Sequence, residues 1–315
     1  MIITGGICIM EIREFEYIIA IAEEKSISRA ASRLFMAQSS LSHFLAALET
    51  SMDCQLFIRT AKGIRPTDAG EILIRHAYES IAGYHRVRDE IQDINQMKKG
   101  QILVGISTFR GSYLLPPVLR AFRMSYPDIH IIIREANSLQ LEQMLQRGDL
   151  DLALLALPVN ESRLEVDFLL RDEICLITSS AHPVLKAAKK ALPDSASKIP
   201  YYVDVEDTIP YEYILSDSDT VLGRSAREVF RSHGLLPETY NDTLTAPFSA
   251  AMGAAGLGLA FTYYSARHTY QNAEFLSLGK DGRFLDLGIA MPRGQYHSRA
   301  CLAFRNVLLD ILSES

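Results

Sequence analysis

Between residues 26 and 49 the chain reads SISRAASRLFMAQSSLSHFLAALE. Leu41, Leu45 and Leu48 recur at i, i+4 and i+7, which makes one helix face apolar and turns Gln38, Ser39, Ser42, His43 and Ala46 outward. These outward side chains are short or can hydrogen-bond. An amide able to pair with adenine, and hydroxyls that adapt to several bases, suit base-edge readout in a major groove. A solvated helix face carries the same residue types, so the neighbouring elements decide between the two. A second set of polar groups stands where apolar runs end. Ser107, Thr108, Arg110, Gly111 and Ser112 follow QILVGI, Asn137 and Ser138 follow IHIIIRE, and Ser216 and Ser218 follow YEYIL. Hydroxyls, free amides and a guanidinium at the start of a helix favour an anion. The same types also cap helices and make turns.

The elements that must position these groups are legible in the periodicity. Residues 11–24 place Phe15, Ile18, Ile19 and Ala22 on one helix face. Ser28 is the expected N-cap of a second helix, which buries Ala30, Ala31 and Leu34. Phe35–Ala37 is a turn, and the third helix runs from about Gln38 to Thr50. QLFIRT and IRPT then flank Ala61-Lys62-Gly63 as a short hairpin with a basic tip. Three helices and a basic hairpin describe a winged helix-turn-helix, with Arg59, Lys62 and Arg65 against phosphates. Thr67 or Asp68 caps the next helix. From Glu71 to Lys99 it holds no proline, and Leu73, Ala77, Ser80, Tyr84, Val87, Ile91 and Ile94 form a heptad seam. Such a stripe needs a partner, either the same helix of a second chain or the chain's own C-terminal part.

Residues 10–70 resemble the DNA-binding domain of LysR-type transcriptional regulators. The resemblance rests on EFEYIIAIAEEKSISRAASRLFMAQSSLSHFLAALE and QLFIRTAKGIRPTDAG, where the Ser-Arg-Ala-Ala run, AQxxLS and QLFxR…TxAG all fall at the family's spacing. It implies that Gln38, Ser39, Ser42 and His43 lie nearest the bases, and it brings Ser28 and Arg29 to the DNA as well. It also implies a dimerisation helix and a periplasmic-binding-protein-like effector domain. The chain departs from the family at Ser39 (usually proline), His43 (arginine), Phe44 (a polar residue), Asp53 (glycine) and Pro66 (leucine). Without the arginine at 43 a bidentate guanine reader is missing. Phe44 either packs on the first helix or touches a thymine methyl.

Beyond Gln101 apolar runs alternate with helical patterns, so a doubly wound α/β architecture follows. Val166–Ser179 reads as two short strands. "LLPPVLRAF" and "GDLDLAL" extend the family likeness less specifically. The expected architecture is an α/β chain with an N-terminal winged helix-turn-helix (10–67) after a tail (1–9). A linker helix (68–98) and a two-lobed effector-binding domain (99–315) follow. Lobe I is expected to comprise 99–161 and 269–315, and lobe II 162–268.

The net charge is −6, yet residues 25–67 carry +4, which leaves −10 on the rest. A basic head on an acidic body fits nucleic-acid binding better than the total suggests. No apolar run approaches the ~20 residues of a membrane span. MIITGGICIM has no basic leader, and Met10 is a candidate second start. Cys8, Cys54, Cys175 and Cys301 share no metal spacing and read as reduced cytoplasmic thiols, two or three in cores. GAAGLG at 253–258 is no dinucleotide fingerprint, SDSDT lacks the rest of a calcium loop, and no G-x-S-x-G occurs. The expected function is that of a cytoplasmic transcriptional regulator, not an enzyme, with no cofactor. Its expected partners are double-stranded DNA, a small anionic effector, a second or fourth copy of itself and RNA polymerase. The runner-up is a solute-binding or enzymatic two-lobed protein with an accessory DNA-binding head, and a third reading is a DNA-architectural protein with a vestigial pocket.

Overall fold

The computed structural model describes residues 10–60, 63–94, 100–159 and 163–312. The expected tail with Cys8, the wing-tip Lys62, the end of the 68–98 helix and residues 160–162 lie outside them.

The N-terminal unit begins with α1 (Ile12–Glu24), α2 (Ile27–Arg33) and α3 (Gln38–Ser51). The apolar stripes read from spacing are its core: Phe15, Ile18 and Ile19, then Ala30 and Ala31, then Leu41, Leu45 and Leu48. Each large side chain so buried stabilises by about 1.5–3 kcal/mol. Ser26, not Ser28, caps α2. Its backbone is extended (φ −160°), as an N-cap requires, and its side chain accepts from Arg29 N at 3.4 Å. Ser28 is displaced into the first turn because Lys25 turns left-handed (φ 49°) and the helix starts directly after it. Phe44 packs edge-on against Tyr17 of α1 at 5.2 Å between ring centroids, which decides its role in favour of packing.

After α3, Asp53 sits at φ 49° while Cys54 N donates to Glu49 O at 3.2 Å. This left-handed helix exit favours glycine, the residue whose absence stood out in the sequence. Asp53→Gly is therefore expected to raise stability by up to about 1 kcal/mol. The check is the urea midpoint of the purified protein, and a lower midpoint would contradict the backbone account.

β1 (Phe57–Thr60) and β2 (Gly63–Pro66) pair antiparallel as the wing. α4 (Asp68–Ile94) follows, and Thr67 fixes its start by accepting from Gly70 N at 3.1 Å and donating to Gln55 O at 2.7 Å. The heptad seam is divided. Leu73 and Ala77 are spent in the core of this same unit, whereas Tyr84, Val87 and Ile91 stay 54–55% exposed. The side chain of Ile94 lies outside the described set.

The C-terminal unit is built on a continuous sheet. β3 (Gly100–Ile106), α5 (Thr108–Ser125), β4 (Ile129–Glu135), α6 (Ser138–Arg147) and β5 (Leu152–Ala156) form parallel βαβ units with β3 central. β6 (Leu164–Ser179) follows as one strand of 16 residues. Then come β7 (Lys189–Lys190), β8 (Tyr201–Val203), α7 (Val205–Thr208), β9 (Tyr213–Ser216), α8 (Val221–Ser232), β10 (Thr239–Leu244) and α9 (Ala246–Ala254). β11 (Leu259–Tyr263), β12 (Ala273–Leu278), β13 (Phe284–Pro292) and α10 (Arg299–Leu312) complete it. The doubly wound α/β expectation holds.

The lobe limits do not. Leu164–Glu173 of β6 pairs with β13 in the lobe I half of the sheet, and Ile174–Ser179 pairs with β11 and β12 in lobe II. The chain thus crosses inside β6, at Glu173–Ile174, and returns between β12 and β13, not at 161–162 and 268–269. Val166–Ser179 reads as two strands but is part of one, in which the carboxylates of Asp172 and Glu173 are buried and satisfied. Asp172 accepts from Ser265 N (3.1 Å) and Oγ (2.6 Å), and Glu173 accepts from Ser197 Oγ (2.6 Å) and Ser277 Oγ. Among the described residues no helix is long and apolar enough to cross a membrane, and no group of His, Cys, Asp or Glu is placed to hold a metal. Cys175 and Cys301 are buried and Cys54 is exposed.

Candidate functional site

On α3 the expected reading face is presented to solvent. Gln38, Ser39 and His43 are exposed and Ser42 is half-buried. The N-cap position is Ala37, which offers no side-chain cap, so the first-turn amides of α3 stay available to an anion such as a phosphate. Ser28 Oγ donates to Gln38 Oε1 at 2.8 Å. That bond steadies the Gln38 amide, leaves its NH2 free and keeps a second lone pair on the oxygen. The wing is pinned beside α3 by Glu49, whose Oε1 accepts from Leu56 N (2.8 Å) and Phe57 N (3.1 Å).

Arg29 is less free than its type suggests. Its guanidinium donates to Glu24 O and lies 3.7 Å from the Glu24 carboxylate. In the wing, Arg59 stands opposite the buried Ile64 and Arg65 opposite Ile58. Cross-strand partners share a face, so the two exposed arginines project from opposite faces of the hairpin. Lys62 lies outside the described residues.

The C-terminal unit holds a cavity of about 400 Å³ at the carboxyl ends of its strands, between the lobes. Of the expected residues, Ser107, Thr108, Arg110, Asn137 and Ser138 line it. Gly111, Ser112, Ser216 and Ser218 do not. Ser112 Oγ turns back to donate to Phe109 O at 2.6 Å, and Ser216 is buried with its hydroxyl 3.4 Å from that of Thr220. Ser218 lines a separate groove. From the same loop it is Asp217 and Asp219 that face the cavity.

Four helix amino termini converge on this space, each entering through a wall residue: Ser107 before α5, Asn137 before α6, Thr220 before α8 and Thr245 before α9. Asn137 caps α6 by accepting from Gln140 N at 3.0 Å, and Thr220 caps α8 by accepting from Gly223 N at 2.9 Å. Ser107 and Thr245 make no side-chain cap. The first intrahelical bond of α5 runs from Gly111 N to Ser107 O, so the amides of Thr108, Phe109 and Arg110 precede it without an intrahelical acceptor. α9 adds its dipole but fewer donors, since Phe248 and Ser249 both donate to Thr245 O and Pro247 has no N–H.

Arg110 is the unusual group. It is 3% exposed, and its Nε and Nη2 have no hydrogen-bond partner. Nη2 lies 3.9 Å from Asp172 Oδ2, within ion-pair reach but beyond hydrogen bonding, and the guanidinium sits 4.1 Å from the centroid of the Tyr263 ring. Burial opposes its charge, but the surrounding oxygens of Tyr263, Tyr113 and Asp172 outweigh that and hold its pKa above the ordinary value. Burial also raises Tyr113, whose hydroxyl is 2.9 Å from Ser265 Oγ. A buried cation in the cavity wall beside uncapped helix starts gives the space a positive pole that suits an anion. The segment Thr243–Pro247 was missed from sequence because TYNDTL, the strand that leads into it, is polar and mostly exposed and shows no alternation. Tyr263 ends β11, and the rule placing ligands at carboxyl ends of strands points to it.

Comparison with known proteins covers both units. A family described as "Bacterial regulatory helix-turn-helix protein, lysR family" matches residues 12–71, and the "LysR substrate binding domain" matches residues 95–313. The chain is 28% identical over 257 residues to YcgK of Bacillus subtilis, named as an uncharacterized HTH-type transcriptional regulator, with 79% of each chain covered. A full-length OxyR variant from Pseudomonas aeruginosa superposes with a TM-score of 0.65 at 22% identity, over 96% of this chain and 94% of that one. Full-length CbnR complexed with its target DNA superposes with a TM-score of 0.63 at 18% identity, over 96% and 99%. At these identities the two structures establish likeness of fold.

Proposed function

The chain belongs to the LysR family of transcriptional regulators, and from that premise we propose how its parts act. It is a DNA-binding regulator with an effector-binding domain, and the match across both units removes the solute-carrier and enzyme readings. α3 enters the major groove, with Gln38 and Ser42 reading base edges, Ser39 and His43 beside them and its free first-turn amides on a phosphate. Ser28 positions Gln38. Arg65 and Arg59 supply salt-dependent affinity from the two faces of the wing, and Arg29 contributes a charge already shared with Glu24. The protein works in the cytoplasm as a homodimer or homotetramer held through Tyr84, Val87 and Ile91, and it meets RNA polymerase at its promoters. The cavity takes a small anion, with its negative charge on Arg110 and the start of α5. Such an effector alters regulation only through its differential affinity for two arrangements of the lobes.

The observation that carries the DNA reading is the exposed Gln38–His43 face of a helix whose core side is locked by three leucines. A gel shift on the protein's own promoter region, repeated across a salt series, tests it. The Gln38→Ala/Ser42→Ala variant is expected to lose about 2 kcal/mol of specific binding, roughly thirtyfold. Its non-specific binding and salt slope should stay unchanged. Undiminished specific binding would remove these two residues from the interface.

A further inference from the structure

The effector cavity presents a contradiction to any ligand of one charge. Arg110 and the uncapped start of α5 call for an anion. From the loop between β9 and α8, Asp217 and Asp219 line the same space. Asp217 Oδ1 accepts from Asp219 N at 3.0 Å, and among the described residues neither carboxylate takes part in an ion pair. A plain carboxylate would meet these acids and a plain amine would meet the Arg110 charge and the helix dipoles, so either is opposed by one pole of the cavity.

Resting on the reading of this cavity as the effector site, we propose that the effector is a small free amino acid. Its carboxylate is held by Arg110 and the first amides of α5, and its ammonium by Asp217 and Asp219. The volume of about 400 Å³ suits a ligand of that size, and Phe109, Leu154 and Val221 give its side chain an apolar wall. The two poles belong to different lobes, since α5 stands on the lobe I side of the sheet and the β9–α8 loop on the lobe II side. A zwitterion therefore bridges them and favours the closed arrangement, which neither a bare acid nor a bare amine does.

The test uses the full-length protein in thermal-shift and calorimetric titrations. The probes are the proteinogenic amino acids, each beside its N-acetyl and α-amide derivatives, with plain mono- and dicarboxylates in parallel. At least one amino acid is expected to bind, with both of its derivatives weaker by about tenfold or more. In Asp217→Asn/Asp219→Asn the free amino acid should weaken by about tenfold, while its N-acetyl derivative binds as well as before or better. If N-acetyl derivatives or plain carboxylates bind the wild-type protein as tightly as any amino acid, the zwitterion is overturned and the anionic effector stands. If no probe binds, both fall.

Discussion

An Arg110→Met variant is expected to lose about 3 kcal/mol of folding stability together with the cavity's affinity for carboxylates. The stability loss comes from Asp172, which is 3% exposed and would keep its bonds from Ser265 but lose the cation 3.9 Å away. Breaking one side of a buried ion pair costs more than the pair contributes, because a charge is left without compensation. Methionine fills much of the same volume, so packing adds little. The loss of binding has a separate origin, the guanidinium charge in the cavity wall beside the first amides of α5. Removing one charge-assisted interaction of about 2.7 kcal/mol corresponds to about a hundredfold in affinity. The double variant Arg110→Met/Asp172→Asn separates the two effects. It should regain most of the stability in urea unfolding, since the asparagine oxygen still accepts from Ser265, and it should stay unable to bind any carboxylate that the wild-type protein takes. If calorimetry finds the double variant binding that carboxylate normally, Arg110 is a structural cation and the anion sits elsewhere.

The second large effect lies on α4. Val87→Asn/Ile91→Asn should leave the fold of the single chain unchanged, because both side chains are more than half exposed there. In a symmetric pair of α4 helices four apolar side chains would be withdrawn from the seam, at about 1.5 kcal/mol each. The sum of about 6 kcal/mol raises the dimer dissociation constant by roughly four decades. Sedimentation should show monomers at concentrations where the wild-type protein is dimeric. Affinity for a two-half-site promoter should drop by about a hundredfold or more as avidity is lost. The substitutions carry no charge, so the electrostatics toward DNA are unaltered. An unchanged sedimentation coefficient would place the dimer interface away from this seam.

Where the sequence was informative, the information was local. The i, i+4, i+7 leucines of α3, the alanine pair of α2 and the hairpin around Gly63 each depend on neighbours a few residues away, and each stands as read. The cap of α2 was off by two residues because Ser26 and Ser28 are equally good caps by type. Only the left-handed turn at Lys25 chose between them. β10 escaped notice because an exposed edge strand needs no apolar alternation. β6 reads as two strands because Asp172 and Glu173 look solvated until Ser197, Ser265 and Ser277 arrive from elsewhere in the chain to satisfy them.

The same division runs through the sites. Periodicity and charge by themselves determined a basic reading head, a helix with an apolar seam and an α/β body whose strands end in polar loops, because those properties belong to stretches of ten or twenty residues. Tertiary structure alone decided which ends of those strands meet, and it traded Ser216 and Ser218 for Asp217 and Asp219 at the cavity wall. It also buried Arg110 against Asp172 and Tyr263, and consumed the first two positions of the α4 seam within the chain's own core. Each of those outcomes depends on desolvation and on partners more than fifty residues distant in sequence, or on one residue's rotation about a turn, and neither is written in a residue's type or its spacing.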